Sequence, residues 1–117
     1  MADVFFPSKN VLADETVAIG AAATTLTAAT YSATSAGSSV TREYPVVAGH
    51  KAAGAVMENI GTENIYYTFD GSTPTSSNGH VLGPADVLPI YGFAKLAAFK
   101  GVRSGASNVN VYVTYYK

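Results

Sequence analysis

The sequence contains no cysteine and no tryptophan, and only 13% of its 117 residues are charged. Without cysteine there is no disulfide framework, no thiol nucleophile and no thiolate ligand for a metal. Ordinary soluble domains carry about 25% charged residues, so the surface here must be built largely from Ala, Ser, Thr, Gly and Tyr. The stretch from Thr16 to Thr41 carries no charge at all. Seven basic against eight acidic side chains give a net charge of −1, which excludes the basic footprint of a nucleic-acid binder. No run approaches the roughly 20 apolar residues of a membrane-spanning helix. The opening "MADVFFPSKN" places an acidic residue where a secretory signal needs basic ones, and no apolar core segment follows. The expectation is a chain made in a cytoplasm without export, with neither membrane nor nucleic acid as partner.

Chemistry-bearing patterns are missing as well. His50 and His80 are the only histidines, and no Asp/Glu/His cluster has metal-ligand spacing. Asp70-Gly71-Ser72 lacks the further acidic positions of a calcium loop. There is no G-x-S-x-G elbow and no phosphate-cradling G-x-x-x-x-G-K-[ST]. Asp70 and Asp86 could be imagined as a glycosidase pair, but Asp70 is better explained by a turn. Lys95, Lys100 and Arg103 make only a thin basic patch. The expectation is no catalysis, no metal and no cofactor.

What is present is β structure. One domain fits this length, since domains commonly run about 100–150 residues. Residues 16–41 favour strand through Thr and Val, blurred by alanine pairs, with "SATSAGSS" (32–39) a loop by composition. "AGAVMENIG" reads as a strand ending at Gly61, and "NIYYTFD" alternates Ile65, Tyr67 and Phe69 against Tyr66 and Thr68. "DVLPIYG" is a short strand whose Pro89 argues for a sheet edge or a bulge. "FAKLAAFKGVR" reads as strand, with a helical turn near Ala94–Ala97 as the alternative. In "SNVNVYVTYYK", Val109, Val111, Val113 and Tyr115 face one way, and Asn108, Asn110, Tyr112, Thr114 and Tyr116 face the other. Asp70-Gly71 marks a turn, Thr73-Pro74-Thr75 continues extended, and Asn78-Gly79 supplies a second turn. Short strands with turns every 8–12 residues or so predict an all-β fold, a small antiparallel sandwich or barrel of jelly-roll or immunoglobulin-like type. It is expected to occupy residues 16–117 behind an extended N-terminal arm, residues 1–15.

That arm carries an apolar knot, Val4-Phe5-Phe6-Pro7, and then Val11-Leu12. Eight tyrosines and a weakly charged skin suit burial against other subunits, because such a surface costs less to desolvate than one of Lys and Glu. Val4, Phe5, Phe6, Pro7, Val11, Leu12, Tyr112 and Tyr116 are the candidate contact residues. Asp70, Gly71, Pro74, Asn78 and Gly79 are read as the structural turn.

Two resemblances attach to these residues. "IYYTFDGSTPT" resembles a hairpin of the immunoglobulin-like domain at the C-terminus of chitobiases, over about a dozen residues, which implies a sandwich corner and no activity. From Glu58 to Lys117, the Gly-terminated strand, the Tyr-Tyr-Thr-x-Asp-Gly hairpin and the closing V-x-V-x-Y-x-K strand resemble small structural proteins of tailed bacteriophages. That resemblance implies a virion protein, decorating or cementing the capsid exterior. Its partners would be the major capsid protein and copies of itself, with a trimer favoured. A neck, tail-adaptor or baseplate part is the first alternative. A carbohydrate-binding sandwich using Tyr66, Tyr112 and Tyr116 is the second.

Overall fold

A computed structural model describes residues 11–27 and 52–116. In chain order they form β1 (Val11–Ile19), β2 (Gly54–Asn59), β3 (Ile65–Thr68), β4 (His80–Leu82), β5 (Val87–Tyr91), the short helix α1 (Phe93–Ala98), β6 (Lys100–Arg103) and β7 (Val109–Tyr116). The loop expected at 32–39 and the knot at Val4–Pro7 lie outside the described residues.

The strands make two antiparallel sheets, β1-β7-β2-β5 and β4-β3-β6, and the protein is an all-β sandwich. Alternation sets the inner face of the larger sheet. Val109, Val111, Val113 and Tyr115 of β7 are all buried, joined by Val17 and Ile19 of β1 and Met57 of β2. Ile65, Tyr67 and Leu82 of the smaller sheet close the same core. β7 lies between β1 and β2, whereas immunoglobulin constant-type domains keep their last strand in the three-stranded sheet. The immunoglobulin likeness is therefore one of architecture. After Ile19 the chain changes sheets: Thr24 exchanges backbone hydrogen bonds with Gly101 at 2.8 and 2.9 Å, and Arg103 N donates to Gly20 O at 2.9 Å. This join ties the β1 side of one sheet to the β6 side of the other.

Two sequence expectations are corrected. Residues 11–15 are not arm but the first half of β1, paired with β7 and buried on both faces. A β-bulge between Val11 and Ala13 sets Leu12 and Ala13 against Tyr115, so both enter the core. The stretch 93–103 is not one strand: α1 comes first, with Leu96 buried, and β6 follows. Pro89 sits in β5 at the end of its sheet's strand order, opposite Val56. A missing N–H is tolerated at a sheet edge.

The β4–β5 connection holds the one non-glycine residue with positive φ among those described, Ala85 at 67°. Asp86 N donates to Gly83 O at 3.0 Å, with Pro84 and Ala85 at the two central positions. That is the pattern of a type II turn, whose third residue is normally glycine or asparagine. Ala85→Gly is expected to stabilise the protein by about 0.5–1 kcal/mol, because the strain removed exceeds the added unfolded-state freedom. A urea melt with an unchanged slope and a higher midpoint would register it. A lower midpoint would mean that the turn is unstrained.

Candidate functional site

Two features could meet a partner: the outer faces of the sheets and the loop joining β3 to β4. On the larger sheet, register sets Thr16, Tyr112, Glu58 and Val87 in one row across all its strands. Thr16, Tyr112, Glu58 and Val87 are all exposed, and Ile60 just past β2 is 51% exposed. Glu58 is the only charged residue in that row. On the smaller sheet, Tyr66 pairs with Val81 on one side and Val102 on the other. This makes an apolar row across all three strands, with Val81 55% exposed. Both rows arise from period-two alternation, which turns every second residue outward.

The expected contact residues fare unequally. Tyr112 is exposed on the larger sheet. Val11, Leu12 and Tyr116 are corrected, since all three are buried within the chain. Leu12 belongs to the main core, drawn in by the bulge. Val11, Val56 and Tyr116 form a second apolar cluster. Register pairs Val11 with Tyr116 and places Val56 and Tyr116 on the outer side of their sheet, so this end of the sheet is apolar on both faces. Val4, Phe5, Phe6 and Pro7 lie outside the described residues. Tyr66, Tyr112 and Tyr116 do not converge: Tyr66 belongs to one sheet, while Tyr112 and Tyr116 belong to the other.

The β3–β4 connection, residues 69–79, is built from two bends. Asp70 Oδ1 accepts from Ser72 N at 3.0 Å and from Ser72 Oγ at 2.6 Å. These hydrogen bonds, aided by Lys100, hold the Asp70 carboxyl below the usual aspartate range, so it is charged at neutral pH. Gly71 follows at φ 87°, where a side chain would be strained. Thr68 Oγ1 donates to Ser72 O at 2.6 Å and Lys100 Nζ to Gly71 O at 2.8 Å, fastening the bend to the sheet. Thr75 and Asn78 then close a tight turn through reciprocal backbone hydrogen bonds. Pro74 is buried between the bends. Gly79, at φ 141°, passes so close that a Cβ would stand 3.0 Å from Tyr67 O.

The basic residues are dispersed rather than gathered. Lys95 Nζ stands 5.7 Å from the centre of the Phe69 ring, Lys100 serves the bend, and Arg103 Nη1 donates to Asn108 Oδ1 at 2.8 Å. Among the described residues no group of three or more His, Asp or Glu could hold a metal ion. His50 lies outside them. No helix among them is long and apolar enough to cross a membrane. Sequence reading missed Glu15, buried in the sheet as the acceptor of the Tyr115 hydroxyl at 2.6 Å. It also missed Asn59, whose side chain joins the two sheets. The partners of both are set by long-range pairing, and no local pattern signals them. Comparison of the chain with protein-family models, curated proteins and solved structures finds no match.

Proposed function

We propose that this protein is a non-enzymatic structural component of a tailed-phage particle. It decorates the outer surface of the capsid through contacts with the major capsid protein and with copies of itself. The observation that carries this reading is the outward row Val81–Tyr66–Val102, an uncharged apolar stripe across the smaller sheet in which Val81 is exposed and Tyr66 and Val102 are half-buried. The outer face of the larger sheet supports it, with Val87 and Ile60 exposed and Glu58 the single carboxylate in the row Thr16–Tyr112–Glu58–Val87. Such faces lose little by desolvation and gain by burial. Each contact can be modest, because repetition over a closed shell supplies avidity. The order of motifs from Glu58 to Lys117, similar to that of tailed-phage structural proteins, points the same way.

The test is the copy number of the chain in purified particles, relative to the major coat protein. A ratio near one, or a simple lattice fraction of it, is expected. Val81→Asp is expected to lower occupancy about tenfold, since it buries an unpaired charge at the contact. Its melting should stay within about 0.5 kcal/mol of the parent, as for exposed positions generally. A handful of copies per particle would instead assign the chain to the neck or tail. Unchanged occupancy of the Val81→Asp protein would remove the sheet face from the contact.

A further inference from the structure

Where β3 gives way to its loop and β4 begins, Thr68, Phe69, Asp70, Asn78, Gly79 and His80 line a pocket of about 360 Å³. The register that pairs Tyr67 with His80 brings the two ends of the loop together there. Its polar groups have capacity to spare. Asp70 uses Oδ1 for Ser72, and Asn78 uses Nδ2 to reach Ser72 Oγ at 3.1 Å. Among the described residues, Asp70 Oδ2, Asn78 Oδ1 and the His80 ring nitrogens make no hydrogen bond to another residue. The apolar part is equally defined. His80 lies against Tyr67 with ring centres 5.3 Å apart, and Phe69 meets Tyr67 edge-on at 5.6 Å. His80 is exposed, so the imidazole face turned from Tyr67 is open to a ligand.

Charge decides the class of ligand. An anion would meet the Asp70 carboxylate. A cation would meet Lys100, whose ammonium is bound at neighbouring Gly71, and Lys95 over the Phe69 ring. Two positive groups against one negative leave a single excess positive charge. Lys100 is engaged at Gly71 O, however, and Lys95 lies over the Phe69 ring, and neither lines the pocket as Asp70 does, so no ion of either sign is selected. Its unused groups include a carboxylate oxygen and an amide oxygen, acceptors suited to hydroxyl donors, beside aromatic rings suited to an apolar C–H face. The volume is at the small end for ligand pockets and fits about one sugar ring. We infer that this pocket binds a neutral hydroxyl-rich ligand, one hexose unit of a saccharide, with Asp70 and Asn78 accepting its hydroxyls and His80 covering its apolar face. This goes beyond a structural role and uses none of Tyr66, Tyr112 and Tyr116.

The experiment is a 1H–15N NMR titration of the full chain with glucose, galactose and mannose, and with methylammonium and inorganic phosphate as charged probes. At least one hexose is expected to give saturable shifts at residues 68–70 and 78–80, with Kd about millimolar as suits so small a ligand. Asp70→Asn keeps the Oδ1 acceptor of the bend but exchanges Oδ2 for a donor, and it should weaken binding about tenfold. His80→Ala, at an exposed position outside the bend, should weaken it similarly if stacking contributes as aromatic contacts commonly do. Tyr112→Ala should leave it unchanged. The inference is overturned if no hexose gives a saturable shift at these residues. It is equally overturned if binding survives both Asp70→Asn and His80→Ala, or if methylammonium or phosphate saturates the pocket more tightly than any hexose.

Discussion

Asn59→Ala is expected to destabilise the protein by about 3 kcal/mol, a large fraction of the roughly 5–15 kcal/mol that holds a domain folded. The Asn59 side chain is fully buried at the end of β2. Its Nδ2 donates to Glu63 O at 2.9 Å and to Leu82 O at 3.0 Å, and its Oδ1 accepts from Gly61 N at 2.9 Å. Leu82 belongs to the opposite sheet, so one amide joins the two layers and shapes the loop between β2 and β3. Its backbone is engaged too, receiving Ala85 N at 2.8 Å and donating to Asp86 O at 3.0 Å. Alanine would leave two carbonyls and one N–H without their partner, and each such group, when buried, costs about 1–3 kcal/mol. Asn59→Asp should be no better, because it sets a carboxylate oxygen against two carbonyl oxygens. Asn59→Leu, of similar volume, separates hydrogen bonding from space filling. Urea denaturation of that variant within about 0.5 kcal/mol of the parent would show that packing, not the amide, holds the joint.

The same residue shows where local reading stops. A strand ending at Gly61 follows from composition, and β2 ends two residues earlier, at Asn59. The inward turn of Asn59 follows only from the register with β7, where it pairs with Val111. β7 itself was legible because a single strand carries the whole pattern: four alternating large residues, all buried. β1 was not: its first half falls in residues 1–15, which read as an extended arm, and Asp14 and Glu15 give that stretch no local mark of burial. Their burial depends on β7, about 100 positions away, and Glu15 is matched by the Tyr115 hydroxyl. Alternation turns Tyr116 outward, and the register places it on the outer side of its sheet. It is buried nonetheless, in an apolar cluster with Val11 and Val56.

Contact surfaces were legible to the same depth. Alternation within "NIYYTFD" identifies Tyr66 as facing away from Ile65 and Tyr67. It does not say that Val81 and Val102 stand on either side of Tyr66, since that needs the pairing of three strands. The pocket is similar. Asp70, Asn78 and Gly79 were visible as turn formers, but Phe69 and His80 join them only once Tyr67 and His80 are opposed. Turn chemistry is local and was readable; convergence is not.

Phe99→Ala is expected to cost about 4 kcal/mol, within the range for losing a buried aromatic side chain. Phe99 is fully buried where α1 ends and β6 begins. Its ring stacks on Tyr67 with centres 6.0 Å apart and meets Phe69 edge-on at the same distance. Space for it comes from Gly101, where an added Cβ would stand 3.2 Å from the ring. Local propensity argues the opposite sign. Alanine is the best helix former and would favour continuing α1, whereas Phe99 leaves the helix at φ −58° and ψ 132°. A six-residue helix is too short to stand alone, so its place depends on Leu96 and Phe99 beneath it. Loss of the ring should therefore remove hydrogen-exchange protection from the Phe99 amide, bonded to Lys95 O at 3.0 Å, as well as lower the denaturation midpoint. If Phe99→Ala leaves too little folded protein to measure, Phe99→Leu should still fold, with a loss of about 1.5 kcal/mol. A neutral or stabilising result for either variant would mean that helix propensity, rather than the ring's fit between the sheets, ends α1 and starts β6.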